Sequence, residues 1–302
     1  MGDRPEISDL IVDYDAQTLQ RKPVARDDVV ERLRDTGQQR AARIVEGMPH
    51  TDGVLNSDDV DRTLLRAHRE LQRLHEEFQQ PRRILELLRP TLKVLRERHD
   101  TVRIVDVGCG MGYVVRWLAS RGELGQGIEL VGCDYNAALI HEASRLTQVE
   151  GIDCKFVLGN AFTLDQPAHV YMSTGVIHHF RDEGLRTFFR EQCANPSTAV
   201  FFHFDIDPSW LAPLGAWLFH RARMREPLAR NDGVLSALRA HSSQTLLEAA
   251  AHPGFQTRLF RVAPRALPIT RVLRPVVGVR SELWGEWVEA LGSKKRLLKE
   301  RA

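Results

Sequence analysis

At 302 residues the chain is long enough for one large domain or a core with an added element, and its 43% hydrophobic and 27% charged content is that of an ordinary globular protein. A net charge of +2 leaves no overall nucleic-acid footprint, and no uncharged run reaches the roughly 18 residues that cross a bilayer. The opening MGDRPEISDL lacks the basic and apolar regions of a signal peptide, so a cytoplasmic protein is expected.

The first 100 residues read as a helical extension. Apolar residues at helical spacings occur over 27–46, again from 58 to 78, and after Pro81, which suits a first helical turn. HTDGVLNSDD (50–59) is a polar loop between them. From residue 102 the pattern changes to short apolar strands separated by helices. Strands are predicted at VRIVDV (102–107), IELVGCD (128–134), CKFVLG (154–159), AHVYMST (168–174) and TAVFFHFDI (198–206). Helices are predicted over 113–121, 136–147, 183–193 and 242–251. Parallel neighbours need crossover helices, so this alternation predicts an α/β fold with a doubly wound, mostly parallel sheet. The stretch 208–241 exceeds an ordinary crossover and reads as a helical insert in a core spanning 101–267. FQTRLFRVA (255–263) alternates as an antiparallel edge strand would. The tail, 268–302, is basic and expected to be helical, with Trp284 and Trp287 in one helix.

Charge is uneven along the chain. Residues 201–302 carry 16 Lys/Arg against 9 Asp/Glu, or +7, and the excess suits an anionic acceptor or simply a solvated basic face. The cysteines at 109, 133, 154 and 193 form no CxxC pair and read as small core residues. No ligand pair stands at the short fixed spacing of a metal centre, and none is expected.

IVDVGCGMGYVVRWLA (104–119) places a glycine-rich turn between the first strand and its helix, where a ligand lies against backbone N–H groups. The dinucleotide spacing G-x-G-x-x-G fails, because Tyr113 stands at its third position. The spacing is instead Asp106-x-Gly108-x-Gly110-x-Gly112, and an acid at that place repels a pyrophosphate but attracts a cationic arm. VDVGCGMG, followed in order by VGCDYN, GNAF and STGVIHHF, resembles the motifs of class I S-adenosylmethionine-dependent methyltransferases over residues 102 to about 206.

The resemblance implies a Rossmann-like, seven-stranded sheet with S-adenosylmethionine as cofactor and S-adenosylhomocysteine as product. It implies that Gly108 and Gly110, with Cys109 and Gly112 in the same turn, let the backbone approach the cofactor, while Asp106 faces its amino end. Asp134 corresponds to the acid that accepts from both ribose hydroxyls, with Tyr135 beside the adenine edge. Asn160 and Ala161 fall where the family contacts adenine, with Asn in place of the usual Asp. Ser173, at the end of the fourth strand, completes the expected cofactor set.

For the chemistry, His178 and His179 are candidates for a base or a positioning role, since imidazole titrates near neutrality. Asp205 joins them from the fifth strand, whose alternation puts His203 on the same face, and Asp207 too if the strand continues. His203, Asp207, Arg239 and His241 are the candidate acceptor contacts. Within the first 100 residues, the leucines at helical spacing over 84–95 are expected to dock on the sheet, and the earlier helices to cover the cofactor as a lid, shape the acceptor pocket or pair subunits in a homodimer. The reading is a methyltransferase acting on a small molecule at O, N or C, in bacterial biosynthetic metabolism and without a nucleic-acid partner. Two alternatives stand beside it: an RNA methyltransferase, and a relative that binds cofactor without turnover.

Overall fold

The computed structural model describes residues 4–260 and 273–299, and the chain divides into two compact units, Met1–Leu74 with Pro208–Ala240 and His75–Asp207 with His241–Ala302. The second unit is built on one sheet. Its strands are β1 (Val102–Val107), β2 (Ile128–Asp134), β3 (Lys155–Leu158), β4 (Val170–Thr174), β5 (Val200–Ile206), β6 (Phe255–Phe260) and β7 (Leu273–Arg280), with a two-residue β8 (Leu298–Lys299). Their order across the sheet is β8-β6-β7-β5-β4-β1-β2-β3. The five strands β1 to β5 are parallel, so their C-terminal ends share one edge.

Strand alternation sends side chains to two cores. On one face Ile104, Met172, Phe202 and Phe204 pack with Leu87, Leu88 and Trp287. On the other, Val105, Val131, Tyr171 and Phe201 meet Phe188, Phe189 and Leu246. Helices cover both faces, and the doubly wound, mostly parallel sheet of the sequence reading is the fold found.

One of three placements differs from expectation. The strand read over 255–263 is β6, antiparallel to both of its neighbours, β7 and β8, as its alternation predicts, with residues 261–263 outside the described range. β7, also antiparallel to both of its neighbours, lies in a tail read as helical, although Trp284 and Trp287 do share the helix Trp284–Leu291. The helix Gln80–Leu95 buries its leucines in the core of the sheet unit, as their spacing predicts, and Trp287 donates from Nε1 to Thr91 Oγ1 at 2.9 Å.

The first unit is helical, with two short hairpins at Asp13–Tyr14/Arg21–Lys22 and His50–Thr51/Val54–Leu55. Here Val29, Leu33, Ala41, Val45 and Leu64 pack with Met224, Leu228 and Ala229, so the stretch read as an insert in the sheet domain shares a core with the N-terminal helices. The Asp232 carboxylate accepts the N–H groups of Ile7 at 3.0 Å and Ser8 at 2.9 Å, tying the short helix Ile7–Leu10 to Pro227–Arg239. Among the described residues no helix is long and apolar enough to cross a membrane.

Candidate active site

The C-terminal ends of β1 and β4 adjoin where the strand order reverses, the place where open α/β sheets bind ligands. Gly108, Gly110 and Gly112 all have positive φ, which a side-chain-bearing residue rarely adopts. Space also decides two of them. An added Cβ at Gly108 would lie 2.6 Å from Val176, and at Gly112 2.2 Å from the Phe156 ring.

The turn is locked to β2. Gly110 donates its N–H to Asp134 Oδ2 at 2.9 Å, and Asn136 donates to Oδ1 at 2.9 Å. Asn136 in turn caps the helix Ala137–Glu150, accepting from Ala138 and Leu139. Burial raises the Asp134 pKa, although the N–H groups of Asn136, Gly110 and Tyr135 and the nearby His179 act against that rise. The carboxylate is thus held in place by backbone donors and keeps lone pairs for further ones. Tyr135 is largely exposed beside it.

Asp106 is different. It is buried, its Oδ1 has no hydrogen-bond partner among the described residues, and burial, helped by Asp134, pushes its pKa up to about 8. An unpaired buried carboxyl oxygen is costly, and it suits a cationic group brought in by a ligand. Cys109 lies in the same turn, but burial and the neighbouring Asp134 hold its pKa well above the usual thiol range, so it is a neutral packing group. Asn160 Oδ1 accepts from Phe162 N–H at 2.9 Å, which shapes the turn after β3, and Ala161 packs against the adjoining core.

Beyond β4 the chain makes a short 3-10 turn, Ile177–His179. Both oxygens of the Asp205 carboxylate are used on it: Oδ2 accepts the His178 N–H and Oδ1 pairs with His178 Nδ1, each at 2.8 Å. Burial pushes the Asp205 carboxyl up, but His178 and the N–H groups of Ile206 and His178 outweigh it, and its pKa lies below the ordinary value. Its charge directs the His178 proton to Nδ1 and leaves Nε2 as the basic nitrogen. The His179 ring lies against that of His178, with centroids 4.3 Å apart. His241 supports the turn from below, its Nε2 within 3.0 Å of the carbonyls of both Ile177 and Phe180. Asp207 pairs with Arg274 at 3.3 Å, and Arg274 also donates to the His241 carbonyl at 3.1 Å.

Three residues expected at the ligand stand elsewhere. Ser173 Oγ is 2.8 Å from His203 Nδ1, and His203 Nε2 is 2.8 Å from Gln192 Oε1. All three residues are fully buried, and Phe188, Phe189 and Phe201 ring the imidazole. Burial drives the His203 pKa down to about 3, so it is a neutral core residue rather than an acceptor contact, and Ser173 is its partner rather than the cofactor's. Arg239 belongs to the helical unit, where it pairs with Asp9 at 2.5 Å and Glu6 at 3.8 Å. His203→Ala is expected to cost about 3 kcal/mol in a denaturant melt, through the cavity and the stranded Ser173 and Gln192 groups. A buried network without contact to ligand predicts an unchanged cofactor dissociation constant in the same variant.

Residues 104–194 match the family model described as a methyltransferase domain. Over this region the chain is similar to a methyltransferase domain. Its fold is also that of the plantazolicin methyltransferase BamL, solved with a triazolic desmethylPZN analog and SAH, at a TM-score of 0.52 and 15% identity over 73% of this chain and 96% of that one. The magnesium protoporphyrin IX methyltransferase ChlM from Synechocystis PCC 6803, with bound SAH, aligns at a TM-score of 0.42 and 16% identity over 85% of this chain and 100% of that one. No curated protein matches the sequence. Among the buried polar atoms without partners in the described residues that sequence reasoning passed over are Gln80 Nε2 and Oε1, on the helix before β1, and Thr174 Oγ1 at the end of β4.

Proposed function

We propose that the protein transfers the methyl group of S-adenosylmethionine to an oxygen, nitrogen or carbon atom of a small-molecule acceptor, in the cytoplasm and as part of bacterial biosynthesis. The observation that carries this reading is the buried, unpartnered Asp106 oxygen beneath a glycine turn whose other side is fixed to Asp134. The residues fit the cofactor: Asp106 meets its ammonium end, Asp134 accepts from its ribose, and the turn 108–112 leaves room for backbone contact. When bound, the cofactor supplies a methyl group on a sulfonium, open to in-line displacement.

The chain's own contribution to the chemistry is a positioned base. Asp205 fixes the His178 ring and its backbone together, His241 braces the carbonyls of the turn, and Nε2 of His178 takes the acceptor proton when the acceptor is protic. His179 serves as a positioning residue beside Asp134. The +7 excess of residues 201–302 favours an acceptor bearing a carboxylate or phosphate.

The test is transfer of labelled methyl from S-adenosylmethionine to a panel of small anionic and neutral metabolites and, separately, to RNA. Label in a small-molecule fraction, lost in Asp134→Ala, is the expected result. Label in RNA alone overturns the acceptor class, and tight cofactor binding with no labelled product in any class overturns the enzyme.

A further inference from the structure

The helix Ala212–Arg223 presents to solvent what a globular protein ordinarily hides. Leu214, Trp217 and Leu218 are 55%, 45% and 56% exposed, and Trp210 and Leu211, just ahead of the helix, are 87% and 48% exposed. At 100° per residue these five positions and Arg221 fall within one face roughly 120° wide. The opposite side is the one that faces its own unit, where His220 is buried and Phe219 packs on the helical core. The face is therefore not a loose end of the core. It is a second apolar surface on a helix already anchored by its first.

Along the segment itself the charges have one sign, and the Glu70 carboxylate, which accepts the N–H groups of Arg225 and Glu226, stands at its far end. From residue 208 to 225 there is no Asp or Glu, while Arg221, Arg223 and Arg225 close the segment. Arg221 and Arg225 are exposed and form no ion pair among the described residues. Two tryptophans and three leucines on one face, with guanidinium groups along the border, suit a headgroup layer. There indoles sit at the boundary between apolar and wet, and arginine meets lipid phosphate. A protein partner's groove would have to supply carboxylates to the same border, whereas an anionic bilayer supplies negative charge everywhere.

We propose that this face docks the protein on the surface of an anionic membrane, as a peripheral contact lying in the headgroup plane. The attachment is reversible, because a helix of 12 residues that already spends one side on its own core buries only a few side chains in lipid. The inference does not depend on the methyl-transfer reading.

The experiment is flotation of the full-length protein with vesicles of phosphatidylglycerol and phosphatidylcholine in equal parts, and with phosphatidylcholine alone. The wild-type protein should float with the mixed vesicles and be released by raised salt. Trp210→Ser with Trp217→Ser should weaken binding by roughly tenfold or more, from the apolar area lost to lipid. Arg221→Gln and Arg225→Gln should each weaken it about fivefold. All four positions are exposed, so thermal melts and cofactor titrations of the variants should match the wild type, which separates loss of docking from loss of fold. Absence of wild-type flotation overturns the proposal. So does flotation insensitive to both sets of substitutions. A solution dimer that the tryptophan variants dissociate, with no vesicle binding, assigns the face to a second copy of the chain and overturns it equally.

Discussion

Asp106→Asn should make the protein more stable above pH 4 while loosening its hold on the methyl donor. The pKa of Asp106 rises from 3.8 to about 8 in the folded protein, because burial strips its charge of water and Asp134 lies nearby. A carboxyl raised in this way binds its proton more tightly when folded. Its contribution is fully favourable below the unfolded value and is lost as pH climbs through the folded one. Stability of the free wild-type protein should therefore fall by up to about 1.4 kcal/mol per pH unit between those limits. Asparagine has the same shape and no charge to desolvate, so the variant should lose this slope. Binding shows the opposite sign. A cationic ammonium pairs with the ionised carboxylate, so wild-type affinity should improve as pH rises toward 8, and the variant should bind about 10- to 100-fold more weakly, without that pH dependence. Melts and titrations across a pH series read both effects. A variant that is no more stable at pH 8 and binds the donor equally well removes Asp106 from the site.

Asp205→Asn should separate chemistry from cofactor binding. An asparagine carbonyl still accepts the N–H of His178, so the 3-10 turn keeps its shape. Its amide group would face Nδ1 as a donor, which reverses the ring's tautomer and places the proton on Nε2. The imidazole then offers no lone pair where the acceptor proton leaves. Positioned bases contribute about 100- to 10,000-fold, and that is the expected loss of kcat on a protic acceptor. Neither Asp106 nor Asp134 is touched, so the dissociation constant for the donor should stay within about twofold. Equal losses in binding and rate would instead make Asp205 a structural support of the turn.

The features legible in the sequence were those that depend on local order. The apolar runs at 102–107, 128–134, 168–174 and 198–206 fall on strands, and the glycine spacing after Asp106 marks the turn where positive φ is needed. β7 was hidden because LRPVVGVR interrupts its apolar run with Pro275 and Gly278. Pro275 is tolerated in its pairing with Phe204, and Gly278 is there because a Cβ would lie 2.1 Å from the Phe201 ring, a fact of the neighbouring strand. The union of residues 208–240 with the N-terminal helices was equally invisible, since helical periodicity says which face is apolar but not what covers it. Within the site, alternation put His203 and Asp205 on one face correctly, yet one is sealed among phenylalanines and the other grips His178. Their fates differ through Ser173, Gln192 and the 3-10 turn, all distant in sequence. Pairing of buried polar groups is decided by the fold, not by the strand that carries them.

The measurement that bears most directly on the central claim is calorimetric titration of the purified protein and of Asp134→Ala with S-adenosylmethionine and with S-adenosylhomocysteine. The account predicts micromolar binding of both ligands to the wild type, and binding weaker by about 1–3 kcal/mol once the ribose-facing carboxylate is gone. A folded wild-type protein that binds neither ligand, or a variant that binds both as tightly as the wild type, would contradict it.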